Sequence, residues 1–446
     1  MTEKRLPAVL QYRATFCLCV CFLVALLFTL RFSTAVNLVL TAVFSVSFLL
    51  LLFLGRRQAL PFRLRSLAFL LLLASLLGAL YAYPAVILAE QEEETPVTVR
   101  VESITYQKGT TIYFDGILTE MGGERCRIKA KFYCYDGPEL SEGDVAQAKA
   151  EIHAIPSFRD AAEDEITLLA NGFRAQVTLS RALASGRFSS VSLVFSRLRG
   201  ILSARFFTAL SSESAALLSG LLLGDTSQVA PTLIRNMNRL GISHLLAISG
   251  MHFTVLFIGL EKLLGRLGVG RHYRLAFVAL ASLFYLALTG FSAAVMRAGF
   301  MLLLMIIAFF LRLHYDTLTS LGVSLLLICL FTPYAVYHVG LWLSALATFG
   351  ILALHERRSD PSKKEKPKGG LLRYIVESLS VTVIAIVATA PLTSLLFGTW
   401  PLLSPIANLC LAPFMDLLLY LAPLLLLFPR FSPLVALANG TVSLFT

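Results

Sequence analysis

Charge is what this sequence has least of: 15% of its 446 residues are Asp, Glu, Lys or Arg, against about 25% in a soluble protein. With 57% hydrophobic residues and a mean hydropathy of +0.76, that scarcity excludes a free soluble domain. No small-residue cleavage site separates the first apolar run, Thr15 to Leu30, from the second, Thr34 to Leu54, so the first reads as a retained span and not a signal peptide. No G-x-x-x-x-G-K-[ST] loop occurs, so nothing in the chain cradles a nucleotide and any transport needs an external driving force. No nucleophile–base pair stands out, which argues against an enzyme. The seven His offer no convincing metal site, and no cofactor is implied.

What is present is a series of apolar runs from Leu18 to Phe428, many near the about 20 residues that cross a bilayer. The fold class expected is a polytopic α-helical membrane protein with an inserted all-β domain. Residues 1–89 hold three spans, the third from Ser66 to Leu88. Further spans fall near 240–260, 274–290, 294–311, 317–333, 339–355, 373–397 and 405–428. Lys4, Arg5, Arg13 and then Arg56, Arg57, Arg63 and Arg65 place the N-terminus in the cytoplasm by the positive-inside rule. The connections EKLLGRLGVGRHYR, the Arg312 turn and HERRSDPSKKEKPKGG fall on that side and are basic. FTPYAVYH and GTWPLLSP, opposite, carry no Lys or Arg. The expected location is the plasma (inner) membrane, with residues 90–190 outside the cytoplasm.

That outer segment differs in kind. Glu90 to Arg187 holds 11 basic and 17 acidic residues, a net of −6; the whole chain is +11, which leaves +17 for the rest. VTVRVESITY, TTIYFDGILTE, ERCRIKAKFYCY, DVAQAKAEIHAI and GFRAQVTL alternate like five strands, with turns at Lys108-Gly109, Gly122-Gly123, Asp136-Gly137-Pro138 and Glu142-Gly143. Five short strands suggest a small OB-like barrel. Arg125, Arg127, Lys129 and Lys131 share one strand face, either a basic stripe tracking a nucleic-acid backbone or a solvated face of an acidic domain. No regular aromatic stacking platform accompanies it. Cys126 and Cys134 stand about 26 Å apart on a continuous strand at roughly 3.3 Å per residue, too far for a disulfide.

Beyond it, 191–212 spaces Val194, Leu198, Ile201 and Leu202 as an amphipathic helix lying in the interface. AALLSGLLLGD is too short to span and reads as re-entrant or broken. GISHLLAISGMHF, Gly241 to Phe253, resembles the signature of the ComEC family of DNA-uptake proteins. LLSGLLLGD before it, LTGFSAAVMRAGFM (288–301), VGLWLSALATFGIL (339–352) and ATAPLTSLLFGTWPLLSPIANLCLAPF (388–414) resemble further family elements in order. The resemblance implies that 213–446 is a channel bundle passing single-stranded DNA inward during natural transformation. It also implies other competence proteins as partners, namely a DNA receptor and a cytoplasmic motor, and leaves a homo-oligomer open. Many family members add a metallo-β-lactamase-like domain. No His-x-His-x-Asp-His run is present and Thr446 falls in an apolar run, so the sequence reads as a fragment or a short form. A small-solute transporter is the alternative, though no internal repeat supports it; a non-transporting remnant or assembly subunit is another.

Polar groups within spans are costly and mark candidate sites. His244 and His252, eight residues apart, would lie about 80° apart on an unbroken helix at roughly 100° per residue. They line a pore or donate to neighbouring carbonyls. Ser249-Gly250 favours a kink or a close helix contact. Arg297 suits a phosphate or snorkels to the interface. Asn408 could fix backbone in a segment that Pro391, Pro401, Pro405 and Pro413 would break.

Overall fold

The computed structural model describes residues 7–29, 36, 39–47, 62–82, 91–108, 111–135, 140–155, 163–246, 248–358, 371–397 and 403–443. Along the chain come α1 (Pro7–Thr29), α2 (Phe62–Ala82), β1 (Gln91–Lys108), β2 (Thr111–Met121), β3 (Glu124–Cys134) and β4 (Asp144–Ala154). After α3 (Glu163–Ala170) and β5 (Ala175–Arg187) follow α4 (Val191–Ala209) and α5 (Ser212–Leu218), which runs into a π-helical turn, Ser219–Leu223. Then come α6 (Pro231–Arg239), a 3-10 turn at Ser243–Leu245, α7 (Gly250–Arg266), α8 (Arg271–Leu288), α9 (Ala293–Phe310) and α10 (Thr317–Phe331). A 3-10 turn at Pro333–Tyr337 leads to α11 (Val339–Arg358), α12 (Leu371–Phe397), α13 (Ser404–Leu427) and α14 (Ser432–Val442). Two units divide this order: Met1–Ser196 with Leu318–Val339, and Arg197–Thr317 with Gly340–Thr446.

In the first unit the five strands form one mixed sheet in the order β1-β2-β3-β5-β4. β1 pairs with both β2 and β4, which closes the ring. Only β3 and β5 run parallel. Alternation in the sequence becomes alternation in space: Ile112, Phe114 and Leu118 of β2 and Ala130, Phe132 and Cys134 of β3 point inward and are fully or nearly fully buried. Phe114 and Phe132 stack with centroids 4.9 Å apart. Gly122 and Gly123, both at positive φ, make the two-residue turn whose twist suits a hairpin. Cys126 and Cys134 both lie on β3 and are not joined by a disulfide. The expected turns at Gly109 and 136–138 lie outside the described residues.

Helices pack in the same unit by close approach. At Gly322 of α10 a side chain would press on Phe16 and Cys19 of α1 at 3.1 Å, and the Tyr337 hydroxyl donates to the Leu27 carbonyl at 2.6 Å. The Arg174 guanidinium, just before β5, lies 4.3 Å from the Tyr334 ring centroid.

Among the described residues of the second unit, three stretches are long and apolar enough to cross a membrane: Ala293–Phe310, Val376–Leu396 and Ser404–Leu427. Across both units 15–29, 66–77, 212–223, 317–331 and 339–353 are shorter apolar helices. The molecule is thus mostly helical with a multi-pass membrane character. The span expected near 240–260 is displaced, because Gly241 turns the chain at φ 70° and Ser249 caps a helix that only begins at Gly250. The helix breaks expected at Pro391 and Pro413 do not occur either: α12 and α13 run through them. Thr389 and Ser394 hydroxyls bond to local carbonyls around Pro391, the kind of side-chain support that lets proline sit within an apolar helix. Pro401, Trp400, Lys4, Arg5, Arg56, Arg57 and the basic stretch 359–370 lie outside the described residues.

One group strains the β-domain. Asp115, on the outer face of β2, keeps its Oδ1 buried without a hydrogen-bond partner among the described residues. Burial pushes its carboxyl above the ordinary carboxylate range, opposed by Lys131 and Lys129 and reinforced by Glu102. A carboxyl whose folded value is raised destabilises the fold once pH rises through that value, and costs nothing below the unfolded value near 3.9. Asp115→Asn is therefore expected to strengthen protection of the strand amides at neutral pH. The gain shrinks to nothing toward pH 3.5, as read by hydrogen exchange on the full chain.

Candidate functional site

The second unit is built around an exposed turn and a buried cation. α7 starts where it does because Ser249 caps it. The Ser249 hydroxyl accepts from the His252 backbone N–H at 3.2 Å, and His252 Nδ1 accepts from the Ser249 N–H at 3.4 Å. This is a capping box in which histidine replaces the usual Glu or Gln, and an accepting Nδ1 puts the neutral ring's proton on Nε2. His252 is wholly buried. His244 sits in the 3-10 turn at Ser243–Leu245 and is exposed. The two histidines therefore share no helix and no face. The unbroken-helix spacing fails because Ser249 begins a new helix between them.

Gly250, the first residue of α7, makes the close contact expected of it without a kink. A side chain there would come 2.5 Å from Nη2 of Arg297 and 3.4 Å from Cβ of Ala298. Arg297 belongs to α9, is 7% exposed, and does not snorkel. Its Nε donates to the Ser344 hydroxyl of α11 at 3.0 Å, and Nη1 points at the Met301 sulfur, 3.4 Å away. Ion pairs among the described residues join Lys149 to Glu94, His153 to Glu151, Arg187 to Asp144 and Arg274 to Glu261. None involves Arg297. A buried guanidinium thus lies against the N-terminal end of a 17-residue helix, itself the positive pole of the helix dipole. Two like poles meet with no carboxylate between them, an arrangement that favours an anion.

Asn408 is wired to the turn before α7. Its Nδ2 donates to the Ser404 hydroxyl at 3.3 Å, which donates to the Gly241 carbonyl at 3.1 Å. Further hydroxyls fasten the same bundle: Tyr285 to the Leu222 carbonyl in the π-helical turn, and Tyr420 to the Val255 carbonyl, each at 2.9 Å. The run expected to be broken is α5 passing into that turn and ending at Gly224 with φ 79°, while Asp225 accepts from the Ser227 N–H and hydroxyl. Arg199 Nε donates to the last carbonyl of α8, Leu288. Ser344, Ser404, Tyr285 and Tyr420 are not legible as site residues in the sequence, because a hydroxyl in an apolar helix announces no partner.

In the first unit Arg125, Arg127 and Lys129 are exposed along the outer face of β3, with Lys131 half-buried. Lys129 Nζ lies 4.6 Å from the Phe173 ring centroid, and Lys131 pairs in register with Asp115. The same face does carry aromatics, contrary to expectation. β2 brings Tyr113 beside Tyr133 and Tyr135, with centroids 5.1 and 6.1 Å apart. Tyr133 and Tyr135 continue the alternation of the basic stripe along the sequence, whereas Tyr113 joins them only through the β2–β3 register. Among the described residues no cluster of His, Cys, Asp or Glu could hold a metal.

Fold and site together define a multi-pass membrane protein with an inserted β-domain and a buried cation in its helical unit. The competence protein family matches residues 221–446, and the chain belongs to that family. It is 27% identical over 205 residues to ComE operon protein 3 of Bacillus subtilis (strain 168), covering 46% of this chain and 25% of that one. It is 31% identical over 228 residues to competence protein ComA of Neisseria gonorrhoeae, covering 48% and 30%. The chain therefore spans about a quarter to a third of the relatives it matches. No solved structure matches it.

Gly250 and Arg297 should behave as one unit. Gly250→Ala is expected to push the guanidinium off Ser344 at a cost of about 1.5–3 kcal/mol, the worth of a hydrogen bond to a charged group. The same change made on an Arg297→Ala background costs almost nothing. Thermal midpoints of the four proteins in detergent give the coupling, and equal costs in both backgrounds would refute the contact.

Proposed function

We propose that the chain is a membrane channel component for import of single-stranded DNA during natural transformation. The observation that carries this is Arg297, buried in an apolar bundle without an acidic partner and set against the N-terminus of α7. Burying a charge is costly unless a counter-charge or donor set repays it. A phosphate supplies that counter-charge, and the planar guanidinium binds it in a fork. Membership of the competence protein family, and the naming of the Neisseria gonorrhoeae relative as a competence protein, supports DNA as the source of the phosphate. The reading places the protein in the inner membrane with the N-terminus in the cytoplasm. α4 lies in the interface, and the β-domain, an OB-like barrel, lies outside. There Arg125, Arg127, Lys129 and Lys131 draw the strand in, while Tyr113, Tyr133 and Tyr135 offer rings on which bases stack. Receptor and motor proteins of the competence apparatus supply capture and energy.

The test is protected uptake of labelled DNA in a deletion strain of the host with variants restored. A hydrogen bond to a charged group is worth about 1.5–3 kcal/mol, so Arg297→Ala is expected to lower uptake by about tenfold or more. Arg297→Lys keeps the charge but loses the fork, and recovers only part of it. Unchanged uptake with Arg297→Ala, at equal protein abundance, would sink the reading.

A further inference from the structure

α6 is polar in a way that the channel reading does not use. Pro231 opens it, and Leu233 and Met237 are buried. Thr232, Arg235, Asn236, Asn238 and Arg239 are all exposed. Arg235 and Arg239 stand four apart and share one face, with β-carbons about 5–6 Å apart. Among the described residues neither forms an ion pair. From Thr226 to Leu260 the chain has no acidic residue at all, so no neighbour in sequence neutralises them. The helix also differs from one that lies in a lipid interface. Such a helix turns its apolar face into the bilayer, whereas α6 spends that face on the protein's own core and leaves outward a surface of two arginines and hydrogen-bonding amides.

From this we infer that α6 is a docking surface for the phosphodiester backbone of single-stranded nucleic acid. The inference rests on the reading of the chain as a DNA-handling protein and adds where the strand first touches the helical unit. α6 packs on the 3-10 turn bearing exposed His244. That turn leads directly to Ser249 and Gly250, against which Arg297 lies. A strand held on α6 is thereby presented toward the buried cation. Two arginines at this spacing bind successive phosphates, and Asn236 and Asn238 add donors without any base preference.

The experiment uses the full chain in uncharged detergent and a fluorescent single strand of mixed sequence, with affinity read by anisotropy over a range of salt. Each phosphate contact to a single strand contributes about 0.7 to the slope of log affinity against log salt. R235Q/R239Q is thus expected to flatten the slope by about 1.4 and to weaken binding about tenfold or more at low salt. R235K/R239K keeps the slope. K262Q/R266Q removes the same charge from the far end of α7, about 18–24 Å along the helix from Gly250 at 1.5 Å per residue, and also keeps it. An unchanged slope in R235Q/R239Q overturns the inference. If R297Q nonetheless loses binding in that case, the channel reading survives it. A slope flattened equally by K262Q/R266Q overturns it too, since only net charge is then being read. Loss of binding to vesicles of anionic phospholipid, with DNA binding intact, assigns α6 to lipid and refutes it. Failure of the unaltered chain to bind any strand removes the channel reading and the inference together.

Discussion

Within apolar surroundings every backbone and side-chain polar group has to find its partner inside the chain, and the helical unit is arranged around that demand. Several of its breaks in helix are closed by a side chain: Ser249 and His252 cap α7 reciprocally, Ser404 holds the Gly241 carbonyl, and Tyr285 reaches the Leu222 carbonyl where α5 loosens into a π-turn. The turn at Gly224 and the turn at Gly241 both need the positive φ that glycine adopts without strain. With those closures made, irregular backbone can exist between apolar helices. Arg297 is partnered by a hydroxyl and a sulfur but, among the described residues, by no opposite charge, while Asn408 Oδ1 and Asp416 Oδ1 are buried without a hydrogen-bond partner there.

The β-domain solves a different problem with different means. It stands in an acidic stretch of the chain and buries a core of Val, Ile, Leu, Ala and Phe inside a sheet that leaves no edge unpaired. Edge closure removes the rows of free N–H and C=O groups that would invite aggregation. On the outer face β2 and β3 carry a basic stripe that ends in three tyrosines. Asp115, half-buried among these cations, is the one carboxylate on that face whose desolvation works against the fold.

Much of the architecture is legible in the amino-acid sequence alone. Low charge and long apolar runs mark a membrane protein, and the Gly241–Phe253 motif points to the family that residues 221–446 match. Alternation marks the five strands, three of them to within a residue, while the first starts six residues earlier and the last ends eight later than expected. Where sequence and structure part, the cause is shared. His244 and His252 look like neighbours on a helix because hydropathy runs on across Ser249, and hydropathy does not register a cap. Pro391 and Pro413 look like helix breaks, yet both helices run through them, with the Thr389 and Ser394 hydroxyls bonding to local carbonyls around Pro391. α6 carries no spanning or strand signal in its nine residues, and only Pro231 at its start, the spacing of Leu233, Met237 and Leu240, and Gly241 beyond its end announce a short helix.

What the sequence determined by itself is whatever follows from its near neighbours: which segments are apolar, which alternate, where glycine allows a turn. The pairing of Gly250 with Arg297, of Asn408 through Ser404 with Gly241, and of Tyr113 with Tyr133 was decided only by the tertiary structure. Each joins residues from different helices or strands, and side-chain partners of that kind are fixed by packing and register, which periodicity along a single segment does not contain.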